Sequence, residues 1–226
     1  MPNEILVGID RDGTLIKDEN YYLGSQENWQ ELIDFMPGVI GGMRRLKFAR
    51  GAHSYILSNQ AGVALEGIDG AKNFSRLTEA MVRQVNDEIM WKLCINGAEP
   101  EGIFFCPYVD KQYVRKAEEK GRSVNPLYVR ENDRSMKPNI GLLERAAMHS
   151  ARELGDFSKI YVIGDRLSDV QMAHNAEGIG ILVPDYKTRE LGDVSNVEQL
   201  MRDKPEKTFI CERFDLAIQL ILEQVS

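Results

Sequence analysis

The sequence predicts an α/β fold in which a parallel sheet carries helices on both faces. Three observations lead there. Short apolar runs alternate with amphipathic segments along most of the chain. Several of those runs stop abruptly at carboxylates, hydroxyls or glycines, as strands do where they open on a ligand crevice. The 226 residues, 43% of them hydrophobic, suffice for one sizeable core. The expected organisation is therefore a single domain over residues 1–226, with loop insertions near 16–36 and 107–136.

Residues 4–9 read as the first strand. Pro37-Gly38 opens a helix to about Ala49, with Val39, Ile40, Met43, Leu46 and Lys47 at helical spacing and Gly51 as its stop signal. His53–Leu57 is the second strand. Residues 75–95 form a long amphipathic helix, with Leu77, Met81, Val85, Ile89 and Leu93 at four-residue steps. Gly102–Cys106 is the third strand. Pro138 then starts a helix to about Leu154, a favoured first-turn use of proline. Lys159–Ile163 and Gly180–Val183 are the fourth and fifth strands, and a final helix covers about 212–224. This alternation describes a Rossmann-like sheet. Two stretches interrupt it: the polar, aromatic 16–36, with Tyr21, Tyr22 and Trp29, and the charged 107–136. Long connections of this kind in a compact fold usually serve function.

Bulk properties narrow the function. A net charge of −7 argues against nucleic-acid or membrane-surface partners, which need a positive footprint. No apolar run is long enough to span a bilayer. Met1-Pro-Asn-Glu lacks the basic and apolar regions of a secretory leader, so the expected location is the cytoplasm. Cys94, Cys106 and Cys211 are widely spaced and odd in number, which excludes a disulfide framework as the expectation.

The chemistry concentrates at strand ends. Ile5-Leu-Val-Gly-Ile runs into Asp10-Arg-Asp12-Gly-Thr14, two carboxylates one residue apart followed by a tight turn and a hydroxyl. Such a pair can hold a hard divalent cation, and one carboxylate can attack phosphorus. Ser58-Asn59-Gln60-Ala-Gly62 follows the second strand with a hydroxyl and backbone amides suited to a phosphoryl oxygen. Lys137-Pro138 places a lysine at an expected helix start, where it adds charge to an anion site. Gly164-Asp165-Arg166-Leu-Ser168-Asp169 follows the fourth strand with two more carboxylates.

Singly, each string is also an ordinary turn or cap. Together, and in this order, they resemble the four motifs of the haloacid dehalogenase-like hydrolases. The similarity covers roughly residues 5–185. Asp10-Arg-Asp12-Gly-Thr, the Ser-Asn-Gln-Ala-Gly run, Phe105-Cys106-Pro107 and Lys137-Pro138 are closest to the histidinol-phosphatase-like subgroup, which includes heptose bisphosphate phosphatases. The resemblance implies that fold without a large cap domain, its open site roofed by residues 16–36 and 107–136.

It also implies roles. Asp10 is the nucleophile and a metal ligand. Asp12 is the general acid and then the base, and its backbone carbonyl also binds metal. Thr14 orients Asp12. Ser58, the Asn59 amide, Gln60 and Arg166 hold substrate. Lys137 neutralises the phosphoryl oxygens and Asp10. Asp165 is the remaining side-chain metal ligand, and Asp169 supports it from behind. Mg²⁺ suits this all-oxygen set.

The chain departs from the subgroup in the 107–136 segment. Many members carry a zinc loop there, of the pattern Cys-x-His followed by Cys-x-Cys-Arg. Here Cys106 is retained, Tyr108 stands at the histidine, and Asp133 and Ser135 stand at the later cysteines. No structural zinc is expected. Met136 replaces the arginine that helps hold substrate in heptose enzymes, which weighs against heptose bisphosphate. The expected activity is Mg²⁺-dependent hydrolysis of a small phosphorylated metabolite, a sugar phosphate foremost, through an aspartyl-phosphate. The alternatives are a histidinol-phosphate or polynucleotide 3′-phosphatase, or a catalytically silent binding protein of the same fold.

Overall fold

The computed structural model describes residues 4–18, 22–65 and 76–225. Tyr21 of the first insertion and residue 75, where the long helix was expected to begin, lie outside the described residues. Six strands form one sheet: β1 (Ile5–Ile9), β2 (Ala52–Asn59), β3 (Gly102–Cys106), β4 (Lys159–Gly164), β5 (Ile179–Leu182) and β6 (Thr208–Ile210). All pairings are parallel, in the order β3-β2-β1-β4-β5-β6. The helices are α1 (Val39–Lys47), α2 (Glu79–Ile95), α3 (Lys111–Glu118), α4 (Gly141–His149), α5 (Leu167–Asn175), α6 (Tyr186–Glu190), α7 (Asp193–Asp203) and α8 (Phe214–Val225).

The central strand shows why the sheet must be covered twice. Every residue of β1 is buried, as expected of a strand in a parallel sheet packed on both faces. Its side chains alternate between two cores. Ile5, Val7 and Ile9 join Val39 and Met43 of α1, Val85 and Ile89 of α2, and Phe214 and Ile218 of α8. Leu6 points the other way, with Leu142, Leu143 and Ala146 of α4 and Met172 and Ala173 of α5. A one-residue register slip would exchange the two sets.

Strand order positions the site. From β1 the chain steps outward to β2 and β3, then returns to place β4 on the other side of β1. The crevice opens at that reversal, beyond the carboxyl ends of β1 and β4. Ile9 pairs with Ile163, so Asp10 and Asp165 emerge side by side.

The structure corrects several boundaries. Lys137 does not begin a helix. The Lys137–Pro138 peptide is cis, and α4 starts at Gly141, after a turn in which the Gly141 amide donates to the Arg134 carbonyl at 2.7 Å. The same helix stops at His149 rather than near Leu154, and Ala151 then takes a left-handed backbone conformation at φ 55°. Helices α3, α6 and α7 and strand β6 have no counterpart in the sequence reading. Their apolar stripes are thin: α3 buries only Ala117. Among the described residues, no helix is long and apolar enough to cross a membrane.

The 107–136 connection is held by local partners. The Arg130 guanidinium lies 3.6 Å over the Tyr108 ring and 3.5 Å from the Asp133 carboxylate. Asp133 Oδ1 accepts bonds from the amide and hydroxyl of Ser135, and that hydroxyl also meets the thiol of Cys106. Burial pushes the Cys106 thiol up, away from the thiolate that a metal needs. Asp110 caps α3 by accepting from the Tyr113 amide at 2.7 Å. All four positions at which the subgroup carries zinc ligands thus have protein partners here. Elemental analysis of protein purified without added metal should find well below one zinc per chain, and a zinc-selective chelator should leave the Tm unchanged. Stoichiometric zinc, removed together with thermal stability, would refute this.

Candidate active site

The site begins with two turns that let carboxylates approach each other. Asp10 follows β1 directly, and its amide donates to the Ile163 carbonyl at 2.8 Å. Gly13 turns the chain with φ 87°, and a Cβ there would lie 2.6 Å from Asp165 Oδ2. At the end of β4, a Cβ on Gly164 would come within 2.2 Å of the Asp169 carboxyl carbon. Only glycine allows both approaches.

Lys137 organises the charges. Its buried ammonium donates to Asp10 Oδ1 at 2.5 Å, to Asp169 Oδ1 at 2.6 Å and to the Leu57 carbonyl at 3.1 Å. An ammonium has three donors, so this one is fully satisfied. Burial opposes its charge, but Asp10 and Asp169 outweigh burial and hold the lysine well above its ordinary value. Asp169 is doubly engaged, since its Oδ2 also accepts the Arg166 amide at 3.1 Å.

Asp165 is the unsatisfied member. It is buried, and its Oδ1 has no hydrogen-bond partner. Oxygens of Asp10, Asp165 and Asp169 all lie within 4.8 Å of one another. Burial, and then the charges of Asp10 and Asp169, raise the Asp165 carboxyl to about 9. Burial raises Asp10 to about 7, against the pull of Lys137. Crowded buried carboxylates with a free oxygen are the donor set that a hard divalent cation takes. The Asp165 main chain is fixed by Thr188, whose hydroxyl donates to its carbonyl at 2.6 Å. Thr188 is held in turn by Asp185 across the first turn of α6.

The other expected residues are brought together with altered partners. Asp10, Asp12, Ser58, Asn59, Gln60, Lys137, Asp165, Arg166 and Asp169 all line one cavity of about 680 Å³. Thr14 is buried beneath it with its hydroxyl unpartnered, so it does not orient Asp12 by a hydrogen bond. Gln60 does: its Nε2 donates to Asp12 Oδ2 and to Ser58 Oγ, both at 2.7 Å. The Asn59 side chain exchanges two bonds with the Lys137 main chain, at 3.1 and 3.3 Å, and so positions the lysine. Arg166 is tied to Asp193 of α7 at 2.6 Å.

The sequence pointed to the two insertions as the roof of the site but assigned none of their residues to it, and these complete the cavity wall. Tyr22 and Asp18 come from the first insertion, and Tyr113, Lys120 and Arg122 from the second. Arg122 reaches across to donate to the Tyr22 hydroxyl at 3.1 Å, which joins the two insertions. Lys187 of α6 pairs with Asp18 at 2.5 Å. The missed α6 did leave one signal, the Asp185-x-x-Thr188 spacing of a capping box.

Comparison with known proteins agrees with this geometry. A family model described as HAD-hydrolase-like matches residues 136–216. The D-glycero-beta-D-manno-heptose-1,7-bisphosphate 7-phosphatase of Photorhabdus laumondii is 31% identical over 185 residues, covering 78% of this chain and 79% of that protein. The protein of the same name in Escherichia coli K12 is 29% identical over 176 residues, with 77% and 76% covered. Among solved structures, the D,D-heptose 1,7-bisphosphate phosphatase from B. bronchiseptica, complexed with magnesium and phosphate, superposes with a TM-score of 0.68. It is 21% identical and is matched over 97% of this chain and 98% of its own.

The raised carboxylates give the metal-free protein a pH signature. Asp10 and Asp165 bind protons more tightly folded than unfolded, so their contribution to stability is fully present below the ordinary Asp range, near pH ~4. It is lost as pH rises through about 7 and then about 9. In chelator, the Tm should fall across that range, and Asp165→Asn should flatten the fall and exceed the parent at the alkaline end. Parallel Tm profiles for parent and variant would show that these carboxylates are not the cause.

Proposed function

The chain belongs to the haloacid dehalogenase-like hydrolase family, and on that footing we propose that it is a Mg²⁺-dependent phosphatase that acts on a small sugar phosphate through an aspartyl-phosphate. The observation that carries the reading is the Lys137 ammonium between Asp10 and Asp169, with the unpartnered Asp165 oxygen beside it. A catalytically silent relative would have no need to keep this costly cluster of buried charge.

Asp10 and Asp165, with the backbone carbonyl of Asp12, would hold the cation. Bound there, Mg²⁺ supplies charge that lets a carboxylate approach an anionic phosphoryl group and stabilises the in-line transition state. The protein's own groups account for the remaining chemistry. An Asp10 oxygen attacks phosphorus as the bond to the leaving oxygen breaks. That oxygen takes a proton from Asp12. A water molecule then gives its proton back to Asp12 and attacks phosphorus, which breaks the bond to Asp10 and releases phosphate. Lys137 keeps one Asp10 oxygen neutralised throughout, and the Ser58 hydroxyl reaches the phosphoryl oxygens.

For the substrate, we read the cavity as suited to a sugar phosphate with a second anionic group. Met136 is packed against the α4 core and offers no charge at the position of the subgroup's arginine. Lys120 and Arg122 line the same cavity and can supply the cationic contacts instead. The relatives' names make heptose bisphosphate the first compound to test.

Phosphate release from a panel of phosphorylated sugars decides among these readings. Asp10→Asn should lower turnover by several orders of magnitude, and Asp12→Asn by about 10²–10⁴-fold. Replacing Lys120 and Arg122 by Ala should raise KM for a bisphosphate by about tenfold or more, and leave it unchanged for an aryl phosphate. Near-normal turnover by folded Asp10→Asn would rule out the covalent route.

A further inference from the structure

Arg11 has no place in the chemistry above, yet it is the largest fully buried side chain among the described residues. It stands between the nucleophile and the acid–base residue. Its Nε lies 3.1 Å from both carboxylate oxygens of Asp12, and its guanidinium closes to 2.9 Å on Oδ2. The other arm, Nη1, donates to Asn86 Oδ1 at 2.8 Å. Asn86 is itself buried on α2, 75 residues away in sequence.

Burying a guanidinium costs several kcal/mol unless its donors are met, so these partners fix its plane. A planar fork held at one end transmits its orientation to whatever the other end grips. The gripped group is Asp12, whose side chain remains partly open to the cavity. Gln60 supplies the third fixed donor to the same carboxylate. The anchor is also tied to the cavity roof. One turn before Asn86, Val82 packs in a cluster with Tyr22 and Tyr128, and the Tyr128 hydroxyl donates to Glu79 of the same helix at 3.3 Å.

We propose that Arg11 and Asn86 are positioning residues that aim the Asp12 carboxylate at the leaving oxygen. This rests on the reading of Asp12 as general acid. Neither residue touches substrate. Asn86 acts only through Arg11, and Arg11 only through Asp12. Lysine at position 11 would keep the charge but could not bridge both partners.

The experiment measures steady-state hydrolysis of an alkyl sugar phosphate and of p-nitrophenyl phosphate, with Mg²⁺, for the parent, Asp12→Asn, Arg11→Lys and Asn86→Ala. The alkyl leaving group needs a proton, and the nitrophenolate does not. Arg11→Lys and Asn86→Ala should each lose kcat/KM, which ends at departure of the leaving group and so excludes the later base step of Asp12, about tenfold more on the alkyl ester than on the aryl ester. A general loss of structure would lower both substrates alike. Near-parental Tm shows that a variant is folded. If Arg11→Lys does not fold, Asn86→Ala decides alone. Equal losses on both esters, or no loss, while Asp12→Asn discriminates between them would overturn the positioning role. If Asp12→Asn itself fails to discriminate, the acid assignment falls first and takes this proposal with it.

Discussion

A single ammonium group sets the geometry of the whole crevice. Lys137 Nζ holds Asp10 from the end of β1, Asp169 from α5 and the Leu57 carbonyl from β2. Three elements distant in sequence are thereby fixed to one atom. The arrangement tolerates no half measure. Removing one member of a buried ion pair typically costs about 3–5 kcal/mol, because a charge is left without compensation. The turn before α4 exists to deliver this lysine, and Asn59 clamps its main chain from both sides.

The crevice carboxylates differ in how far the protein itself satisfies them. Asp169 spends both oxygens on protein donors, and Asp12 is gripped by Arg11 and Gln60. Asp165, by contrast, retains a buried oxygen with no partner in the crevice, although its main chain is firmly held by Thr188. An acceptor that is rigidly placed and left unpaired is expensive unless a ligand uses it. The same accounting separates the two insertions from the sheet beneath. They meet through Arg122 and Tyr22, and the first is also tied to α6 through Asp18 and Lys187, contacts at the cavity edge that shape entry without touching the reacting groups.

The strand–helix alternation was legible because β1 and the middles of β2 (55–57) and β4 (160–163) are buried and therefore read as short apolar runs. The long stripe of α2 was legible for the same reason, with Val85, Ile89 and Leu93 in the core. Helix α7 was not, because it buries only Asp193 and Val197. Strand β6 has just three residues, too few for a period to show. Of the site residues, those at strand ends were found. Arg11 and Asn86 escaped, since a buried arginine and a buried asparagine carry no pattern until their partners are known.

The sequence by itself determined the chemistry available: two carboxylates after the first strand, a hydroxyl after the second, a lysine before a proline and two carboxylates after the fourth. Local composition suffices for that, because strand ends, turns and glycines are written in neighbouring residues. Only the tertiary structure decided who partners whom. It placed β4 beside β1, assigned the orientation of Asp12 to Arg11 and Gln60 rather than Thr14, and turned Asn59 and Arg166 toward protein partners. Hydrogen bonds and ion pairs between residues dozens of positions apart depend on the strand order and on how the loops close over it, and neither has a local signature.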